Sequence, residues 1–486
     1  MRHHGAGSGR RAHEHGDCRG GRSRGDGARD APRSSGRASR LPGREDAGPG
    51  GRGPELSHSR HARLTVTPAR RVALSLLREV DRGRRLDLVW ESAAPDLSPV
   101  NRAWVHELLF GVFRLRGRID HLLGLHLHRG VGSLPLPLLQ VLRLGAYQLV
   151  GMGSVPDYAA VSQSVSQARD DAGAKGAGVA NAVLRALGQA GGDVDRFPSF
   201  ERDPVEHLVT WGSHPRWLVE RWVERFGAAA AGAVVEAGNR VPHLFLRPIG
   251  VPLTHAADQL AAAGIPSEDG PPGTATLRLP PGTDPVAALG AVPSIIQDPA
   301  ASSVAELVGA SQGDRVLDLC AAPGGKGIAL MGLGARVFAT DPSRTRLLRM
   351  RQALHRLGLP VRIAVGRAEA PPFAPADVVL VDVPCTGTAT LARHPDTRWR
   401  LGPDAPAHLA SIQAQILAGA ASAVRPGGLL VYATCTLEAE ENEGAIQAFL
   451  GHHPDFAPEG ETAILQVFPG TMSTDGAFAA RLRRAR

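Results

Sequence analysis

Val316-Leu317-Asp318-Leu319-Cys320-Ala321-Ala322-Pro323-Gly324-Gly325-Lys326 is the stretch on which the fold turns. It begins as an aliphatic run suited to a buried strand, then opens into small residues, two glycines and a lysine. Glycines let a backbone approach a ligand closely, and a helix starting here offers its N-terminus to that ligand. Downstream, strand-like runs at 335–340, 361–365, 377–382 and 428–433 alternate with helical stretches at 344–357 and 405–424. Such alternation predicts parallel strands joined by right-handed crossovers, an α/β doubly wound (Rossmann-like) domain over residues 294–486.

An acid closes the next strand: Asp341 lies 23 residues after Asp318. That distance suits a carboxylate accepting hydrogen bonds from ribose hydroxyls. The turn has neither the Gly-x-Gly-x-x-Gly spacing of a dinucleotide site nor the Gly-Lys-Ser/Thr of a phosphate loop. An adenosine cofactor without a triphosphate fits, and S-adenosylmethionine is the expectation, held by Cys320, Ala321, Ala322, Pro323, Gly324, Gly325, Lys326 and Asp341. Lysine is otherwise nearly absent: Lys175 and Lys326 stand against 53 arginines. A compact ammonium inside the turn implies a geometry that a planar guanidinium does not fit.

Two further strand ends carry thiols, Asp382-Val383-Pro384-Cys385 and Thr434-Cys435. Ligands of open α/β sheets bind outside the carboxyl ends of the strands, so both thiols are expected to face the cofactor crevice. Asp382 is expected to contact the cofactor or a substrate base. Carbon 5 of cytosine is a poor nucleophile. Addition of a thiolate at carbon 6 creates an enamine-like carbon 5 that accepts a methyl group from a sulfonium. Residue chemistry alone does not rank the two thiols. Cys320 suits a buried apolar role better than they do. No Cys-x-x-Cys pair or regular His spacing suggests a metal. The acids of 438–443 read as first-turn complements to a helix dipole.

With 486 residues and 43% hydrophobic content, the chain is large enough for two or three packed domains. No apolar run is long enough for a membrane span, and no secretory signal opens the sequence. Cys18, Cys320, Cys385 and Cys435 make no disulfide framework, which points to reduced thiols and a cytoplasmic protein. The net charge of +8 is concentrated: residues 1–63 hold 14 Arg against 7 acids, or +7, leaving +1 elsewhere. This Arg/Gly-rich tail is expected to be disordered, as an RNA-attracting arm or a dispensable extension. Residues 64–200 follow helical periodicity, and 201–293 read as a small α/β module. Candidate basic patches are Arg78, Arg82, Arg84 and Arg85, then Arg114, Arg116 and Arg118, and finally Arg481, Arg483, Arg484 and Arg486.

Several motifs together carry a family resemblance. They are Gln297-Asp298-Pro299-Ala300, Cys320 to Lys326, Asp382 to Cys385, His394-Pro395-Asp396, Tyr432 to Thr436 with Glu441-Asn442-Glu443, and Asp475-Gly476 with Phe478. This set resembles the RNA 5-methylcytosine methyltransferases, most closely the Sun/RsmB type acting on small-subunit ribosomal RNA. Asn181-Ala182-Val183-Leu184-Arg185 resembles the NusB-like RNA-binding domain of that type. The resemblance implies a monomeric cytoplasmic enzyme without a membrane partner, using S-adenosylmethionine to methylate carbon 5 of a cytosine in small-subunit ribosomal RNA. It implies Cys435 as nucleophile and Cys385 as the residue aiding product release. Transfer RNA is the alternative substrate, and a catalytically weak RNA-binding or ribosome-assembly factor is the alternative class. One departure favours that class: Gly366-Arg367 stands where the family places Gly-Asp toward the cofactor, with Glu369 as the nearest replacement. Thr436 replaces the family's usual serine.

Overall fold

The computed structural model describes residues 65–486; the expectation for the 1–63 tail lies outside the described residues. The first helices are α1 (Pro68–Asp81), α2 (Leu86–Ala93), α3 (Pro99–Arg114), α4 (Arg116–Gly124), α5 (Leu136–Val150) and α6 (Asp157–Ala190). Proline in the first turn of α1 and α3 costs nothing, because the missing N–H has no intrahelical acceptor there. Their apolar stripes meet in one core that includes Leu77, Leu108, Val112, Phe113, Leu122, Leu142 and Leu184. Gly111 lets α3 approach α5 closely, since a Cβ there would stand 1.9 Å from the Tyr147 ring.

Three more helices, α7 (Pro204–Thr210), α8 (Arg216–Phe226) and α9 (Ala228–Asn239), bury Leu218, Val219, Trp222 and Val235 against Ala389, Leu391 and Leu437. A four-stranded antiparallel sheet follows, in the order β2-β3-β1-β4. It comprises β1 (Leu244–Pro248), β2 (Glu268–Asp269), β3 (Leu277–Leu279) and β4 (Ser294–Ile296), with α10 (Leu253–Ala262) and α11 (Pro285–Ala291) between strands.

After α12 (Pro299–Val308), the large sheet takes β5 (Arg315–Asp318), β6 (Arg336–Asp341), β7 (Ile363–Val365), β8 (Ala376–Asp382) and β9 (Val424–Thr434). The connecting helices are α13 (Gly325–Gly332), α14 (Arg344–Arg356), α15 (Thr397–Arg400) and α16 (Ala405–Ser422). These strands pair in parallel as the alternation predicts. The sheet is nevertheless mixed. Beyond α17 (Glu443–His452), the strands β10 (Phe456–Pro458), β11 (Ile464–Val467) and β12 (Ala477–Arg484) pair antiparallel. The order is β10-β12-β9-β8-β5-β6-β7 with β11 beside β12. Strand order reverses at β5, which places the ligand crevice at the carboxyl ends of β5 and β8.

Residues 391–400 seat the N-terminal helices on the Rossmann-like domain. Arg398 is 0% exposed and donates to the carbonyls of Gly238 (2.7 Å), Ser213 (3.1 Å) and Leu391 (3.2 Å). Trp399 Nε1 donates to Phe113 O at 2.6 Å, and Asp396 Oδ2 accepts the Leu86 N–H at 3.2 Å. Two expected basic patches turn out to be structural. Arg114 is buried and donates to Ala392 O, Arg116 pairs with Asp81, and Arg118 lies over Trp211 while donating to its carbonyl. Arg483 and Arg484 are engaged by Glu459 and Asp455. Each cluster sits where helices or strands need internal donors, a fact invisible in a charge count. Among the described residues no helix is long and apolar enough to cross a membrane.

Candidate active site

Strand β5 delivers the glycine turn. Gly324 takes φ +110°, which a side chain rarely adopts, and a Cβ there would stand 2.7 Å from Met350 Cγ. The Ala321 N–H donates to Thr340 O (2.9 Å) and the Ala322 N–H to Asp341 Oδ2 (3.3 Å), so the turn is pinned to the end of β6. The other Asp341 oxygen accepts from Ser343 N at 2.8 Å. Arg346 spans Asp341 and the Ala322 carbonyl. Cys320 is half-buried beside the apolar core under β8 and β9, and burial first, then Asp318, pushes its thiol up.

Lys326 Nζ reaches across the crevice to Asp382 Oδ2 at 2.7 Å. Burial alone would lower its pKa, but the charge and hydrogen bond of Asp382, with Cys435 and Asp318 nearby, leave it raised. A compact side chain leaving the turn toward Asp382 accounts for a lysine in an arginine-rich protein. Asp318, 1% exposed, is pushed up to about 7 by burial first and by Asp382 next. Its Oδ1 has no partner, and neither has Oε1 of Gln297, which is 6% exposed. Gln297 Nε2 stands 3.3 Å from where a Cβ of Gly325 would lie. Bare backbone, an acid at the β6 end and unpaired buried oxygens fit an adenosine-type cofactor with a polar tail.

Strands β8 and β9 deliver the thiols side by side. Asp382 and Ala433 are register partners, so Cys385 and Cys435 leave the sheet together. Their sulfurs are 3.4 Å apart, and the Cys435 N–H donates to Cys385 Sγ at 3.3 Å. The hydrogen bond with Cys435 first, then burial and the charges of Cys435 and Glu441, raise the Cys385 thiol well above its ordinary value. Cys435 lies close enough to the Lys326 ammonium to influence it.

The sequence reading missed what lies beneath. Glu438 and Glu441 are buried and precede the first turn of α17, so they do not serve its dipole. Glu441 accepts from Thr386 N (2.9 Å), Gln413 Nε2 (2.9 Å) and the hydroxyls of Thr386 and Thr436. Glu438 accepts from Trp222 Nε1 and pairs with Arg221, while Glu440 and Glu443 pair with Arg221 and Arg225 of α8. The available signal was a doublet: each cysteine is followed by threonine, Cys385-Thr386 and Cys435-Thr436.

Other motif residues are structural. Arg393 joins Asp298 (2.7 Å) and Asp475 (2.6 Å), bringing three distant segments together. Burial first, against the opposing charge of Arg393, pushes Asp475 up to about 7. Asp396, part of the His394-Pro395-Asp396 motif, pairs with Arg400 and accepts the Leu86 N–H. Arg367 is 77% exposed, with Nε 4.0 Å from Glu369 Oε1. Glu369 is exposed in the β7–β8 connection, its backbone packed on Gly419.

Comparison with known proteins matches residues 305–483 to the family described as 16S rRNA methyltransferase RsmB/F, and residues 67–189 to the NusB family. The ribosomal RNA small subunit methyltransferase B of Thermus thermophilus is 36% identical over 426 residues, covering 85% of this chain and 97% of that protein. A putative methyltransferase of Mycobacterium tuberculosis is 35% identical, covering 87% and 98%. The probable ribosomal RNA small subunit methyltransferase B of Bacillus subtilis is 32% identical, covering 87% and 100%. The crystal structure of PH0851 shares the fold at a TM-score of 0.70 and 22% identity, covering 87% of this chain and all of that one. With relatives above 30% identity matched over nearly their whole length, the chain belongs to the RsmB/F family of S-adenosylmethionine-dependent ribosomal RNA methyltransferases.

Proposed function

We propose that this protein transfers a methyl group to carbon 5 of a cytosine in small-subunit ribosomal RNA through a covalent adduct between Cys435 and the base. The single observation that carries the reading is the pair of sulfurs 3.4 Å apart beside the Lys326–Asp382 pair. The substrate class follows the small-subunit relatives. The bound cofactor supplies the methyl group from its sulfonium, held by the turn Cys320 to Lys326, by Asp341 and by Asp382. Glu369 is the nearest acid to the side where Arg367 replaces the family's aspartate.

Two features favour Cys435 as nucleophile. The Cys385 thiol is held protonated near neutral pH, so it is the poorer attacker. The Lys326 ammonium lies near Cys435, so a positive charge stands beside that sulfur. Cys435 adds to carbon 6 and carbon 5 gains the methyl group. Transfer of the carbon 5 proton to solvent water then restores the carbon 5–carbon 6 double bond as the carbon 6–sulfur bond breaks, its electron pair leaving on Cys435 as thiolate. The neutral Cys385 S–H is within reach of that departing sulfur and stabilises it by hydrogen bonding, which gives Cys385 its role in release. The reaction is placed in the cytoplasm, where thiols stay reduced, and the enzyme is read as a monomer.

The test is transfer of labelled methyl groups onto unmodified small-subunit ribosomal RNA and, separately, transfer RNA. Labelling of the ribosomal RNA as 5-methylcytosine is expected. Labelling of transfer RNA alone would move the substrate. No transfer to either by folded protein would favour a non-catalytic ribosome-assembly role.

A further inference from the structure

We propose that Glu441 is a positioning residue that sets the distance between the two sulfurs, an inference that rests on reading Cys385 and Cys435 as the reacting pair. The thiols sit on separate loops after β8 and β9. Glu441 is 0% exposed and its carboxylate touches both loops. On one side, Oε2 accepts the Thr386 backbone N–H and the Gln413 amide, each at 2.9 Å. Gln413 also donates to Pro384 O at 2.9 Å, so the Cys385 loop is held from two directions. On the other side, Oε1 accepts the hydroxyls of Thr386 and Thr436, the residues that follow Cys385 and Cys435. The Glu441 carbonyl accepts from Tyr432 Oη at 2.6 Å, which ties the carboxylate to the floor of β9.

The chemistry of these donors makes the proposal specific. Thr386 N and Gln413 Nε2 can only donate, so the Oε2 position must remain an acceptor. The partners of Oε1 are hydroxyls, which donate or accept by rotation. A glutamine with its NH2 on the Oε1 side therefore keeps the Oε2 bonds. The amide then donates to the Thr386 hydroxyl, which turns to donate to Thr436 (2.6 Å), and Thr436 to Thr388 (2.9 Å), while Thr388 keeps its donation to Glu438 (3.1 Å). Every hydroxyl in that chain still has lone pairs for Leu437 N and Glu438 N. Alanine has no such solution and leaves two buried N–H donors unpaired.

The experiment measures sulfur proximity without RNA or cofactor. Full-length reduced protein is treated with diamide, whose N=N bond is reduced to N–N with two N–H as two S–H bonds break and one S–S bond forms. The rate of Cys385–Cys435 disulfide closure is followed by loss of free thiol and by mass, below the melting temperature of every variant. Glu441→Ala is expected to slow closure by about 10-fold, and Glu441→Gln to stay within about 2-fold of wild type. If Glu441→Ala does not fold, Thr436→Val carries the same test, with a slowing of about 3-fold expected. Unchanged closure in Glu441→Ala, or in Thr436→Val where it stands in, would overturn the proposal. So would a Glu441→Gln protein as slow as Glu441→Ala. Absence of methyl transfer by a wild-type protein that closes normally, with Glu441→Ala still closing slowly, would count against the catalytic reading of the thiols alone.

Discussion

At the carboxyl ends of β8 and β9, Thr386, Thr388, Gln413, Thr436, Glu438 and Glu441 satisfy one another, whereas around the glycine turn Asp318 Oδ1 and Gln297 Oε1 have no partner. The difference separates two kinds of work. A reacting pair must be held before the substrate arrives, because misplacement is felt directly in the rate. A cofactor site can leave polar groups unpaired and let the ligand complete them, which couples binding to stability.

The sharpest way to break this comparison is Cys435→Ala. Methyl transfer is expected to fall by about 10⁴-fold or more while cofactor affinity, read by calorimetry, stays near wild type. A parallel loss of cofactor binding would show that the two ends are not separable. Next, Cys385→Ala is expected to lower turnover by about 100-fold and to accumulate a protein–RNA adduct on denaturing gels. Absence of an adduct would reverse the thiol order.

The cofactor end is probed by Asp318→Asn. In the folded protein Asp318 titrates at about 7 rather than its ordinary 3.8. A raised carboxylate favours the folded state below the unfolded value and loses that contribution as pH rises through 7. Wild-type melting should therefore fall more steeply between pH 5 and 8 than that of the asparagine variant. The variant gains about 2–4 kcal/mol at pH 8. Asp475, also at about 7, leaves a residual slope in both proteins. Identical slopes would place the buried proton elsewhere. The smallest effect is expected from Arg367→Asp, which restores an acid at an exposed position. Cofactor affinity should rise by about 3–10-fold in titration, consistent with a screened contact of roughly 1 kcal/mol. No gain would assign that duty to Glu369 or to none.

The parallel half of the sheet was legible because each strand and helix announces itself in its own residues, as at 316–319 and 344–357. The antiparallel return through β12 was not, since pairing of Phe478 with Thr434 depends on a partner 44 residues away. The thiols were legible for the same local reason: both close a strand. Their supporting acids were misread because 438–443 looks like an ordinary charged helix start. Only contact with Thr386, Gln413 and Arg221 reveals otherwise. Arg114, Arg116 and Arg118 misled in the opposite direction, since a run of arginines reads as surface until helices close over it.

Local chemistry thus determined which elements form, where the glycine turn lies and which two thiols follow neighbouring strand ends, because periodicity, glycine content and strand ends are properties of neighbouring residues. Tertiary structure decided how close the two sulfurs lie, which carboxylate touches both thiol loops and which oxygens are left without a partner. Those outcomes depend on burial and on charges a few ångströms away, contributed by segments as far apart in the chain as Arg221 and Glu438, 217 residues.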